Sequence, residues 1–184
     1  ALTVSNAHTR KKQPELVRRA LLDCAARLAL DEGLTGLSLQ AVAKAAGVTK
    51  GGLFHHFPSK EALVEGVFAD LLGQFDAQID AVMAKDPEPR GSFTRAYVAS
   101  GLGPGVLGID GRWAALSISM VADPGLRRVW TDWLSARLQR HHATDNDPAL
   151  ELARLAADGA WLSQEFSTPG KINDLRDRLL ALCR

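Results

Sequence analysis

Cysteine is scarce in this chain, 2 in 184 residues, and Cys24 and Cys183 belong to no metal-binding or redox pair motif. That usage argues against a disulfide-stapled scaffold and for a reducing, cytoplasmic setting. Long apolar runs are missing too: no stretch approaches the ~18 residues that a membrane-spanning helix needs. The first residues, ALTVSNAHTRKKQPE, hold no apolar block of the kind that directs secretion. Sustained alternation of apolar and polar residues, the mark of a half-buried strand, is also absent. What remains is an all-α fold.

Helical periodicity runs through most of the chain. The spacing predicts helices over 14–32, 39–46, 49–57 and 59–84, then near 92–101, 111–121, 124–142, 147–167 and 171–183, about nine in all. Pro14 suits a first helical turn and Gly33 a stop; Ser38 and Ser59 suit N-caps. Residues 85–91, KDPEPRG, read as a connector.

Net charge is only +1, but it is unevenly spread. Residues 1–60 hold nine Lys/Arg against four Asp/Glu, a net of +5, and the remainder carries −4. A basic N-terminal third suggests a surface for a polyanion, although such clustering also arises by chance.

Two glycine-rich segments imitate nucleotide sites. Gly103-Pro-Gly105-Val-Leu-Gly108 has the G-x-G-x-x-G spacing but no preceding strand, and reads as a connection between helices. In Gly47-Val-Thr-Lys-Gly-Gly the lysine precedes the last glycine, the wrong order for a phosphate loop. The adjacent His55 and His56 point about 100° apart on a helix, unlike a ligand pair spaced three or four residues apart. No metal, cofactor or catalytic set is expected, and the chain does not read as an enzyme.

The segment from Leu39 to Phe57 reads instead as two short helices joined at Gly47-Val48, a helix-turn-helix whose second helix lies in a DNA major groove. Thr49 and Lys50 open that helix, where lysine can donate to guanine O6 and N7. Gly51 lacks the Cβ that would hold the backbone away from DNA. Phe54, His55 and His56 follow one turn later, facing phosphates or thymine methyls. Lys60 begins the next helix, where its charge and exposed N–H groups suit a phosphate.

The run SLQAVAKAAGVTKGGLFHHFPSKEAL, Ser38 to Leu63, resembles the DNA-binding domain of TetR/AcrR-family bacterial transcriptional regulators. The matching positions are Ser38, Val42-Ala43, Ala46-Gly47-Val48-Thr49, Gly51, Phe54, His56-Phe57 and Lys60-Glu61-Ala62-Leu63. The resemblance implies that Thr49, Lys50, Gly51, His55, His56 and Lys60 face DNA, with Ser38 and Gln40 as phosphate contacts. Val42, Val48, Leu53 and Phe57 would build the small core. Phe54 stands where the family usually has tyrosine, and Gly52 is an extra glycine that the pattern does not require. The expected organisation is a basic arm over 1–13, which either adds nonspecific DNA affinity or is a disordered tail. A helix-turn-helix domain over 14–58 and a helical effector-binding and dimerisation domain over 59–184 follow.

Reading heads of this type bind palindromic operators as two-fold dimers. Leu152, Leu155, Gly159, Leu162 and Phe166 repeat at helical spacing, joined by Leu175, Leu179 and Leu182, and the resemblance implies that these last two helices form the dimer interface. Aromatic residues crowd the body, and they fit either plain core or an effector pocket. The pocket reading takes Phe68, Leu72, Phe75, Phe93, Tyr97, Trp113, Met120, Trp133 and Trp161, with Asp158 or Glu165 as counter-charge to a cationic ligand. The segment RLAADGAWLSQEF resembles ligand domains of shorter family members that sense apolar or cationic drugs. The function expected is a homodimeric repressor that leaves operator DNA on binding a small apolar or aromatic effector. The alternative is a small-molecule carrier with a vestigial DNA reader.

Overall fold

The computed structural model describes residues 6–104, 121–163 and 169–184. Every element among them is a helix, nine in total, and the chain divides into two compact units at Asp70/Leu71. The expected helix over 111–121 lies outside the described residues.

In the first unit, α1 runs from Asn6 to Gly36, with a break where Gly33 takes φ 73°. It therefore begins ahead of Pro14, which sits inside the helix. α2 (Leu39–Ala45) is capped by Ser38, whose hydroxyl accepts the Ala41 N–H at 3.1 Å. α3 (Lys50–His56) is capped by Thr49. Between them Gly47 takes φ 65°, a left-handed turn that side chains resist. Leu21, Leu22, Ala25, Val42, Leu53, Phe57, Leu63 and Val67 are all buried. Burial of this kind, at roughly 1.5–3 kcal/mol for each large side chain, is what holds such short helices in place. Arg18 lies 5.2 Å above the Phe57 ring, and Arg19 bridges Asp23 and Asp70 at 2.6 Å each.

α4 (Lys60–Met83) contains the boundary between the units. The second unit adds α5 (Ser92–Gly101), α6 (Pro124–Arg140), α7 (His142–Asp145), α8 (Pro148–Ser163) and α9 (Pro169–Leu182). α5 packs against both α8 and α9. The core joins Phe75 and Ile79 of α4 to Phe93, Tyr97 and Val98 of α5, Leu150 and Ala153 of α8, and Ile172 and Leu179 of α9. Asp123 starts α6 by accepting the Gly125 and Leu126 N–H groups, with Pro124 in the first turn, where its missing N–H costs nothing.

The single helix expected over 124–142 is broken at His141 (φ −102°, ψ 16°), and a one-turn α7 follows. The break brings Asp145 to the start of α5, where its carboxylate accepts the Thr94 N–H at 2.8 Å and the Thr94 hydroxyl at 2.7 Å. Arg154 donates to the same Thr94 hydroxyl at 2.5 Å and to the Asp145 carbonyl at 3.3 Å. All three side chains are buried, and their mutual bonding makes that tolerable.

Candidate nucleic-acid interface and effector cleft

The two-residue turn is closed by Gly47 N–H on the Lys44 carbonyl and Val48 N–H on the Ala43 carbonyl. α3 then turns one face inward, with Leu53 and the following Phe57 buried, and leaves Lys50, Gly51, Phe54 and His55 exposed. Thr49 is exposed at its start, with its hydroxyl accepting the Gly52 N–H at 3.1 Å. The Lys50 ammonium lies 5.7 Å from the centre of the Phe54 ring, so an apolar plate and a cation share one stretch of the exposed face. His55 and His56 meet edge to face at 5.5 Å. Ser38 and Gln40 are exposed, and His56 and Lys60 are half-exposed. The capping Ser38 and Thr49 oxygens accept from backbone N–H groups, which leaves each O–H able to donate to a phosphate.

The two glycines of this helix differ. A Cβ on Gly51 would meet open space, whereas one on Gly52 would lie 2.9 Å from Val48 Cγ1 and 3.3 Å from Thr49 Oγ1. Gly52 is therefore a packing residue.

The second unit holds a narrow apolar cleft lined by Phe75, Tyr97, Gly101, Trp130, Ala157, Asp158 and Trp161, with about 20 Å³ of free interior. Its rings interlock: Trp130 and Trp133 lie 5.2 Å apart, Tyr97 stacks on Trp133 at 6.3 Å, and Phe75 meets Tyr97 edge to face at 5.9 Å. The Tyr97 hydroxyl donates to the Asp158 carboxylate. Burial raises the Asp158 carboxyl above the usual carboxylate range, against the pull of Tyr97 and Arg154. Burial, with the Asp158 charge, holds the Tyr97 hydroxyl well above its ordinary value.

Of the residues assigned to the pocket, Phe75, Tyr97, Asp158 and Trp161 line this cleft, and Trp133 backs its rings. Leu72 and Phe93 are core; Phe93 stacks on His141 at 5.0 Å instead. Phe68 belongs to the first unit. Trp113, Met120 and Glu165 lie outside the described residues. The cleft adds Trp130, which the sequence could have offered: it shares a face of α6 with Trp133 at i, i+3. α6 is tied to α4 by the Trp133 indole N–H on Asp76 at 2.7 Å and Arg137 on Asp80 at 2.6 Å.

α8 is apolar on two faces. Leu150, Ala153, Ala157 and Ala160 enter the core, while Leu152, Leu155, Gly159 and Leu162 stay exposed. On α9, Leu182 is exposed and Leu175 half-buried, whereas Leu179 is buried within the core. Phe166 lies outside the described residues.

Comparison with known families places this arrangement. Residues 21–67 match the model for bacterial regulatory proteins of the tetR family, and residues 91–184 match the tetracyclin repressor-like C-terminal domain. The chain belongs to the TetR family.

Among its relatives, the HTH-type transcriptional regulator BetI of Paraburkholderia phymatum is 32% identical over 189 residues, 90% of this chain and 94% of that protein. The HTH-type transcriptional repressor KstR2 of Mycolicibacterium smegmatis is 34% identical over 88 residues, covering 48% of this chain and 43% of that protein. The fold is shared with the multidrug binding protein EbrR, solved with malachite green, at a TM-score of 0.71 and 24% identity over 91% of this chain and 98% of that one. As a TetR-family member, this chain is a DNA-binding transcriptional regulator. No described helix is long and apolar enough to cross a membrane.

Proposed function

We propose that this chain represses transcription by binding a palindromic operator as a homodimer, and that a small apolar or aromatic effector releases it. The observation that carries the DNA reading is the split of α3 into a buried Leu53–Phe57 side and an exposed side bearing Lys50, Gly51, Phe54 and His55. Thr49 and Lys50 read base edges, and Ser38, Gln40, His55, His56 and Lys60 hold phosphates. The exposed Leu152, Leu155 and Leu162, with Gly159 allowing close backbone approach, form the face that meets a second copy. Family relatives named as repressors support the direction of regulation.

The effector enters the cleft between Tyr97, Trp130 and Trp161. The dye held by EbrR, a neighbour in fold, supports this reading of an aromatic cleft. Release is a population shift: an effector that prefers the arrangement with wrongly spaced heads lowers operator affinity. α4, which is continuous from Lys60 to Met83, is the covalent link over which that preference is expressed.

A gel-shift series on DNA flanking the gene tests the proposal. The expected result is a sequence-selective band that weakens steeply with salt. A carrier with a vestigial reader would give only weak binding indifferent to sequence. Lys50→Ala should cost about 1–3 kcal/mol and relax preference at one base pair; equal weakening on every sequence would make Lys50 a phosphate contact.

A further inference from the structure

We propose that the groove between the end of α4, the 85–91 connector and Arg184 binds an amphipathic organic anion. It shares no lining residue with the aromatic cleft and does not depend on what that cleft does.

The groove has about 690 Å³ of free interior, inside the roughly 300–1,000 Å³ range of small-molecule sites. Arg95 of α5 organises it. Its Nε donates to the Asp86 carboxylate at 2.8 Å, and its Nη2 to the Glu88 carbonyl at 2.6 Å. Its Nη1 donates to the Arg90 and Cys183 carbonyls at 2.7 and 2.8 Å. Gly91, at φ 72°, makes room for this hub: a Cβ there would lie 3.0 Å from Arg95 Nη1 and 3.0 Å from the Cys183 carbonyl oxygen. One guanidinium thus pins the connector to the residue that follows α9. A ligand meets a surface whose ordering it does not have to supply.

The charges that line the groove differ in their bonding. Both carboxylates have donors within the chain: Asp86 takes Arg95 and the Glu88 N–H at 3.0 Å, and Glu88 takes the Arg90 N–H at 3.4 Å. Arg90 is engaged as well, by Asp147 at 2.8 Å and the Arg184 main-chain oxygen at 3.3 Å. The Lys85 ammonium and the Arg184 guanidinium, both exposed, have no hydrogen-bond or ion partner among the described residues. The side-chain charge left unmatched is therefore positive, and two separate segments supply it. Val82 and Pro87 add apolar surface, as do the stems of the long basic side chains. An anionic head would pair with Lys85 and Arg184 while an apolar body covered Val82 and Pro87. A neutral ligand would gain only the apolar contacts, and a cation would face two unmatched cations.

Octanoate, octanamide and octylammonium share one alkyl chain and differ in charge, so isothermal titration calorimetry on the full chain at pH 7.5 separates these cases. The expected result is octanoate favoured roughly fivefold over octanamide, with octylammonium weakest. Added salt should erode the octanoate preference and leave octanamide unchanged. Lys85→Ala and Arg184→Ala should each cut the preference about twofold, and the double variant should abolish it without altering octanamide binding. Failure of octanoate to bind, equal or tighter binding of octanamide or octylammonium, or a preference that survives the double variant would overturn the proposal. Should the double variant lose its helical circular dichroism, Lys85→Glu decides: weaker octanoate with unchanged octanamide supports the site, and unchanged octanoate refutes it.

Discussion

The Thr49 hydroxyl accepts the Gly52 N–H at 3.1 Å, and a Cβ on Gly52 would lie 3.3 Å from that same oxygen. The cap and the glycine are therefore one device, and Val48 Cγ1, 2.9 Å from the same point, closes the third side. Gly52→Ala gains helix propensity of about 1 kcal/mol but incurs overpacking of roughly 1–3 kcal/mol. It should lower both the melting temperature and operator affinity. Gly51→Ala meets no such obstacle and should raise stability by up to ~1 kcal/mol. Its operator affinity should nonetheless fall, because the added methyl stands on the face that approaches DNA. Thermal melts paired with fluorescence anisotropy on operator DNA read both effects. A Gly51→Ala protein that binds as tightly as the parent would remove Gly51 from the interface.

That pair marks the limit of what the sequence discloses. The helix-turn-helix was legible because its signals are local: Ser38 as a cap, Gly47-Val48 as the turn, Leu53 and Phe57 four apart on one face. The role of Gly52 was not legible, because its obstacle, Val48, is a contact that spacing alone does not reveal. The break at His141 was missed for a related reason. Helical periodicity continues across it, and what stops the helix is Asp145 reaching Thr94, 51 positions away in sequence. The cleft was legible as aromatic content, but only packing separates Phe93, turned to His141, from Tyr97, turned to Asp158.

The exposed stripe of α8 gives a prediction about assembly. Leu152 and Leu155 keep 63% and 60% of their surface exposed, too much for core residues and too apolar for a solvated face. Leu155→Glu should convert a dimer to a monomer in light scattering, because two like charges would meet across a two-fold axis. Its helical content should stay unchanged, since Ala153 and Ala157 still face the core. Operator binding should drop with dimerisation. A Leu155→Glu protein that remained dimeric would place the interface elsewhere.

The buried trio of Thr94, Asp145 and Arg154 should govern stability of the second unit. Asp145 is 2% exposed and Arg154 8%, with the Thr94 hydroxyl bonded to both. Asp145→Ala leaves the buried Thr94 N–H and hydroxyl without their acceptor. Leaving a buried donor unsatisfied costs about 1–3 kcal/mol for each group. Urea denaturation should show this as a lower midpoint. A loss under about 1 kcal/mol would indicate that the Thr94 donors find another acceptor or reach water.

His141 links pH to stability. Its ring stacks on Phe93 at 5.0 Å and 9°, and its Nε2 is buried without a hydrogen-bond partner. Burial lowers its pKa from 6.5, reinforced by Arg137 and Arg140 and opposed by Asp145 and Asp80. A depressed histidine favours the neutral ring, so its contribution to folding is complete above pH 6.5 and is lost as pH falls through the lowered folded value. The melting temperature should therefore decline on acidification from neutral pH to about 5, before most carboxylates titrate. His141→Phe keeps an aromatic ring against Phe93 and removes the titrating group. The decline over that interval should shrink in the variant, as read by melts at matched ionic strength. If parent and variant lose stability in parallel, protonation of His141 is not what drives the loss.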